Sequence, residues 1–482
     1  MSAVTFGSPD IRGHVQRLSA GITDTQWLRV AAETSAACIS AGVAGLAMMM
    51  PISQSWLSPG SALQVDLLIF NMPLALTAGA LIAVIAVSVS AAIGNSRLAW
   101  CAVFCATAAM LVNHTLLVRL ETRTLSTLNY VDSMLAGVVL GCLAAAVWHR
   151  RAPAGGYLFG ALASILFADL TQAPDFASAV PGEGILRGAP PVWLILVALG
   201  LMLFTAVLFR QERQPEPDDS AVVPLKPVVS AVVIVSATLA TSVWMARGGA
   251  LVSILVGGAI LLLATAVAAL LLPERDGMLI VVMVAFASAG SALLTVPRPS
   301  WSTGLVVAAA GAGLYAGWRI RLPMPAVVGS VVLAIAAAAS AVLVDVPTAA
   351  VTVPSCIALA AMAGYALGCA IGPRATSAVV GIVILFVPSA GVALQGRDLG
   401  RLEYSHTWFR SAEAAVTAVP GIVAAGIGIG CAAIVLLIGR LRPEGALGRR
   451  GADGVAGPEP NPAQARRNSL TTAKSTPSAS AR

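Results

Sequence analysis

The sequence predicts an all-α protein that crosses a membrane many times, with fourteen transmembrane helices. They are expected as two six-helix halves with a helical hairpin inserted between them, both termini on the cytoplasmic side. Three observations lead there. The 482-residue chain is 58% apolar and only 11% charged, with mean hydropathy +0.87; soluble chains run nearer about 45–50% apolar and about 25% charged. The apolar residues fall in long runs separated by short polar punctuation, and the basic residues are spread unevenly over alternate connections. This deficit of charge excludes a soluble enzyme, a disordered chain and a nucleic-acid-binding module. An outer-membrane barrel is excluded as well, because its strands alternate polar and apolar residues and keep hydropathy low.

A bilayer core requires ~20 apolar residues per helix. The apolar runs between polar punctuation give the spans 29–50, 67–93, 98–118, 130–148, 155–170, 191–209, 228–246, 249–272, 278–296, 301–318, 324–344, 348–372, 376–394 and 414–439. Charge tests the count independently. With the N-terminus inside, 21 of the 29 basic residues lie in cytoplasmic segments and 8 in outer ones, which also hold Asp66, Asp169, Asp175, Glu183, Asp345, Asp398 and Glu403. One miscounted span would invert every later loop and scramble that bias. A pI near 9.3 therefore reports arginines held on the cytoplasmic side of a membrane rather than nucleic-acid binding. The expected location is a bacterial plasma membrane, and no cleavable signal peptide is expected, residues 1–26 being polar.

The punctuation also sets the domain organisation. Residues 1–28 read as a cytoplasmic N-terminal segment and 29–209 as the first half. A charged, Pro-rich linker follows over 210–227, then the inserted hairpin over 228–272 and the second half over 278–439. Residues 443–482 are rich in Gly, Pro, Ala and Ser, too poor in bulky apolar side chains to bury a core, and are expected to be disordered. Within them Arg466-Arg467-Asn468-Ser469-Leu470 is similar to a basophilic kinase site, a pattern that also arises by chance. The seven cysteines all lie in apolar runs without metal-ligand or redox spacing, and read as small packing residues.

An internal repeat supports the two halves. Ala136-Gly137-Val138-Val139-Leu140-Gly141-Cys142 matches Ala363-Gly364-Tyr365-Ala366-Leu367-Gly368-Cys369 at an offset of 227 residues. Each copy precedes a short basic turn, containing Arg150-Arg151 in one and Arg374 in the other. The match sets the fourth span against the twelfth, so two spans are inserted between the halves. Gly-xxx-Gly faces let helix backbones approach closely in lipid, where packing drives association.

Six spans, an inserted pair and six more is the layout of the fourteen-span drug:proton antiporters of the major facilitator superfamily. The chain resembles that family at Met48-Met49-Met50-Pro51-Ile52, Leu57 and Leu63-Gln64-Val65, after the first span. In the same register the family's charged turn between spans 2 and 3 falls on Ser88–Arg97, where Gly94 and Arg97 match. The resemblance implies a secondary transporter, and Gly94, Arg97, Arg151 and Arg374 as turn positions. The departures are specific. The turn's Asp and Arg positions are Ala91 and Ala92, the acidic position of span 1 is Gly42, the span 4 arginine is Ser133, and span 5 lacks its Gly-Pro signature.

Ionisable groups inside a membrane are costly and therefore informative; none is expected at mid-depth. Glu33 lies one turn inside span 1 with Arg29 four positions earlier, which reads as a pair at the cytoplasmic surface. The pathway or coupling candidates are Asp66, Asn71, His114, Asp132 and Tyr130. Asp132 and His114 form the pair suited to handling a proton, since imidazole titrates near neutrality. The plainer reading has Asp132 capping span 4 and His114 in the headgroup zone. The mixed-charge loop 395–413 reads as an entrance or a solvated connection.

The functional expectation is a transporter that exports an amphipathic or lipophilic small molecule by alternating access. The alternative is a degenerate member acting as a membrane scaffold. No catalytic arrangement, metal site or cofactor motif is expected, and the partners are the bilayer, a lipophilic substrate and, more weakly, a proton.

Overall fold

The computed structural model describes residues 11–49, 62–116, 125–170, 190–208, 224–248, 251–273, 276–293, 300–320, 322–343, 349–370, 374–389 and 418–442. Among them fourteen α-helices form and no strand. The first six are α1 (Ile11–Met49), α2 (Ala62–Ile93), α3 (Ser96–Thr115), α4 (Leu125–Val147), α5 (Arg151–Leu170) and α6 (Val192–Leu208). A pair follows, α7 (Leu225–Gly248) and α8 (Leu251–Leu271). The last six are α9 (Asp276–Leu293), α10 (Thr303–Ile320), α11 (Pro323–Leu343), α12 (Ala349–Ala370), α13 (Ala375–Phe386) and α14 (Val419–Leu441). The chain divides into two compact units, Met1–Val435 and Leu436–Arg482, the division falling within α14.

Every apolar run of the sequence coincides with one of these helices. Among the described residues seven are long and apolar enough to cross a membrane: α1, α2, α3, α4, α7, α8 and α14. The chain is thus a multi-pass membrane protein. Its outward faces agree, with Leu251, Val252, Leu255 and Leu263 of α8 and Trp193, Leu196, Leu203 and Phe204 of α6 exposed. Water would penalise such surfaces, and lipid tails cover them without cost.

Several boundaries differ from expectation, among them those of α1, α4 and α13. Helix α1 begins at Ile11, inside the segment read as a polar terminus. Helix α4 begins at Leu125 rather than 130, because Ser126, Thr127 and Asn129 are polar without breaking a helix. Helix α13 stops at Phe386 although its apolar run continues to 394. The residue before a proline is pushed out of the α region, and Val387, preceding Pro388, is extended at φ −79°, ψ 137°.

Close helix pairs are set by small residues. A Cβ at Gly137 would collide with the Gly79 carbonyl, and one at Gly141 with that of Ala83, so α2 and α4 pack in parallel, backbone to backbone. The same holds for α10 and α12, where Gly364 meets Ala310 and Gly368 meets Leu314. The two copies of the sequence repeat therefore occupy equivalent interfaces. Parallel pairing recurs between α1 and α5, through Gly156 on Thr34 and Gly160 on Cys38.

The equivalence extends to further contacts within each half. Contacts α2–α4, α1–α5, α3–α4 and α1–α4 are matched by α10–α12, α9–α13, α11–α12 and α9–α12. Contacts between the halves obey the same eight-helix shift: α2–α13 exchanges with α10–α5, and α4–α13 with α12–α5. That exchange is what a two-fold relation between two copies of one bundle produces. The inserted pair packs through α7 on both α2 and α13, covering that seam, while α8 packs on α9.

Candidate functional site

Three polar constellations interrupt the apolar interior. The first joins α3 and α4. His114 Nε2 lies 3.0 Å from Asp132 Oδ2, and Asn113 Nδ2 donates to Asp132 Oδ1 at 3.4 Å and to the Leu128 carbonyl at 3.2 Å. The two ionisable side chains are 5% and 1% exposed. Because α4 starts at Leu125, Asp132 sits two turns inside the helix, about 10 Å along it at 1.5 Å per residue. It is therefore not a cap on the helix, and His114 is paired with it and buried. The Asn113 Oδ1 atom is buried with no hydrogen-bond partner.

The second constellation occurs twice, once per half. Glu33, near the membrane-entering part of α1, accepts a bond from Arg150 Nη1 at 3.1 Å, and its side chain is 3% exposed. The expected surface pair is thus replaced by a buried carboxylate held from a turn 117 residues away. In the second half Asp276, the first residue of α9, accepts from Ser377 Oγ at 2.7 Å and Arg374 Nη1 at 3.4 Å. In each half an arginine from the turn between the fourth and fifth helices pins a buried carboxylate of the first, at the start of α9 and midway along α1.

The third is a cavity of ≈ 80 Å³ between the halves. It lies where α1, α5, α9 and α13 end, opposite the carboxylate–arginine pairs, and Met49, Leu166, Phe286 and Leu359 are among its walls. Its polar groups are Ser291 and Ser389, whose hydroxyl oxygens are 2.5 Å apart. The interrupted end of α13 supplies Val387, Pro388 and Ser389 to the wall. Behind it, Ser242 of α7 donates to the Pro388 carbonyl at 2.8 Å.

Of the sequence candidates, His114 and Asp132 are brought together. Tyr130 is half-buried on α4 and Asn71 half-buried on α2. Asp66 belongs to α2, with its side chain outside the described residues. Gly94 closes α2 in the left-handed region at φ 67°, and Asn95 then caps α3 by accepting from the Arg97 and Leu98 amides. That two-residue turn needs a glycine to reverse the chain, which is the local reason for Gly94. Arg97 and Arg151 are exposed, whereas Arg374 reaches Asp276. The loop 395–413, Met50-Pro51-Ile52, Leu57 and Ser469 lie outside the described residues.

Asp276, Ser291 and Ser389 were not legible as candidates. Asp276 had a usable signal: it stands just ahead of the first apolar run of the second half, as Glu33 stands near the start of the first apolar run, and it faces the second basic turn. Ser291 and Ser389 had only Pro388 interrupting an apolar run.

No protein-family model matches the chain, and no curated protein matches it. Among solved structures the chain is similar to a variant of the E. coli fucose:proton symporter. The identity is 12%, the match covers 84% of this chain and 98% of that chain, and the TM-score is 0.41.

Proposed function

We propose that the chain is a secondary transporter of the major facilitator type, working by alternating access between the halves α1–α6 and α9–α14. In this reading all fourteen helices span the bilayer, both termini are cytoplasmic, and the cargo is an amphipathic or lipophilic small molecule moving outward. The observation that carries it is the exchange of the seam contacts, α2–α13 for α10–α5, under the shift that relates the halves. Two bundles related this way can rock about a site between them without either being repacked. The cavity lies on that interface, and its wall includes Val387, Pro388 and Ser389, the non-helical backbone that follows α13.

Proton coupling enters this reading through His114 and Asp132. They lie away from the cavity wall, so coupling would act through α4, which packs on α2 within its half and on α13 across the interface.

The test uses the α5–α10 seam, where Trp318 packs on Gly155. Spin labels placed by Ala152→Cys and Ile320→Cys, in a background without the native cysteines, report its separation in nanodiscs. Two distance populations whose ratio responds to pH or to a lipophilic ligand are expected. A single narrow distance under every condition would overturn alternating access and favour the scaffold.

A further inference from the structure

The cavity has a chemistry of its own, and we infer that it binds an uncharged amphiphile: an apolar body bearing one hydroxyl group that donates to Ser389. The inference rests on the transporter reading for its purpose and on the cavity alone for its chemistry. Among the described residues, no charged side chain lines it. An ion would have to leave water without a counter-charge, which costs far more than burying a bonded hydroxyl. At about 10–15 Å³ per water, ≈ 80 Å³ admits several waters or one small organic group.

The polar end is a pair of hydroxyls. Ser291 Oγ lies 2.9 Å from the Ala287 carbonyl and 3.0 Å from the Ser288 carbonyl, so it also bonds back to its own helix. Its contact with Ser389 joins two hydroxyls, either of which can donate. A hydroxyl has one proton and two lone pairs, which leaves the Ser389 oxygen able to accept from a ligand. A ligand O–H placed there meets an acceptor, and its remaining atoms meet Leu162, Ile165, Leu166, Phe286 and Leu359. A sugar would bring several hydroxyls to a wall that offers a partner at one end.

A photoactivatable octanol, with a diazirine on its chain, tests this on the full chain in nanodiscs. Labelled peptides are mapped, with 1-octanol, octylammonium and octanoate as competitors of one chain length and three head-group charges. Expected are labels on 286–291 and 385–389, displaced by 1-octanol at concentrations at least tenfold below those of either ion. Ser389→Ala should weaken 1-octanol competition about fivefold, and Ser389→Thr should restore it. A Cβ at Gly290 meets nothing within 4 Å, so Gly290→Leu fills the cavity from a tolerant position and should abolish these labels.

Equal or better competition by octylammonium or octanoate overturns the inference, as does labelling that Gly290→Leu leaves unchanged. Adding a diacylglycerol to the nanodiscs separates the two sources of such a head group. Displacement by it assigns the site to a bilayer lipid and persistence of the label to a free amphiphile, both upholding the hydroxyl chemistry. The label reads binding alone, so its failure is distinct from a failure of the seam distances.

Discussion

Arg150 holds the Glu33 carboxylate at 3.1 Å from a turn far away in sequence, and Arg374 holds Asp276 in the equivalent place of the other half. Both carboxylates are 3% exposed, while the arginines are 32% and 46% exposed. The pairs are therefore asymmetric, since the acid depends on the arginine more than the reverse. Removing the partner of a fully buried charge costs about 3–5 kcal/mol. Here the arginines are partly hydrated, so about 2 kcal/mol is expected for Arg150→Ala. Glu33→Gln should cost less, because Arg150 can turn to water. Thermal unfolding in detergent measures both, and equal losses would contradict the asymmetry. Arg374→Ala should leave Asp276 with a partner, because Ser377 still donates to it.

The repeat glycines make a sharper packing test. A side chain at Gly137 or Gly364 must displace the backbone of the neighbouring helix, at Gly79 and Ala310 respectively. Overpacking of this kind costs about 1–3 kcal/mol, and more where backbone is the obstacle. Gly137→Leu and Gly364→Leu should both lose most of the folded material recovered by size exclusion. Gly200→Ala should be neutral, since nothing lies within 4 Å of its Cβ position.

For the α3–α4 cluster the order of the variants is informative. His114→Ala leaves Asp132 buried with Asn113 alone and should cost about 3 kcal/mol. Asp132→Asn removes the charge and keeps a polar group opposite His114, so about 1 kcal/mol is expected. Uptake into proteoliposomes under an imposed pH gradient separates structure from coupling. If His114 and Asp132 couple transport to protons, Asp132→Asn abolishes the response to the gradient while keeping most of the stability. An unchanged response would reduce the cluster to a pin between two helices.

These tests divide along the line between what was readable in the sequence and what was not. The fourteen helices were readable because each apolar run is bounded by charge, proline or glycine, and the bilayer requirement acts on each run alone. The repeat was readable because Gly137 and Gly364 face backbone, where any side chain is excluded. Polar partners were not, because they depend on which helices become neighbours. Glu33 looked like a partner of Arg29, four residues away, and Arg150 entered only once the turn after α4 met the middle of α1. Asp132 looked like a cap because the polar residues preceding it disguised two further turns of helix. Ser291 and Ser389 are 98 residues apart, and nothing local in either segment marks the other.

The inserted hairpin gives the last prediction. Helix α7 packs on α2 and α13 together, one helix from each half, and Ser242 donates to the Pro388 carbonyl at the cavity wall. The helix end at Phe386 exposes that carbonyl, since the extended Val387 takes the chain out of the ladder. A buried hydrogen bond is worth about 0.5–1.5 kcal/mol, so Ser242→Ala should lower stability by about 1 kcal/mol. Its larger effect should be on the seam. With α7 released from the end of α13, the α2–α13 contact loses a brace and the halves separate more readily. In the spin-label experiment Ser242→Ala should enlarge the more separated population, whereas Ser230→Ala, which loses a bond to Ala268 inside the hairpin, should lower stability alone. Equal shifts from the two variants would mean that the hairpin acts on the halves only through its own stability.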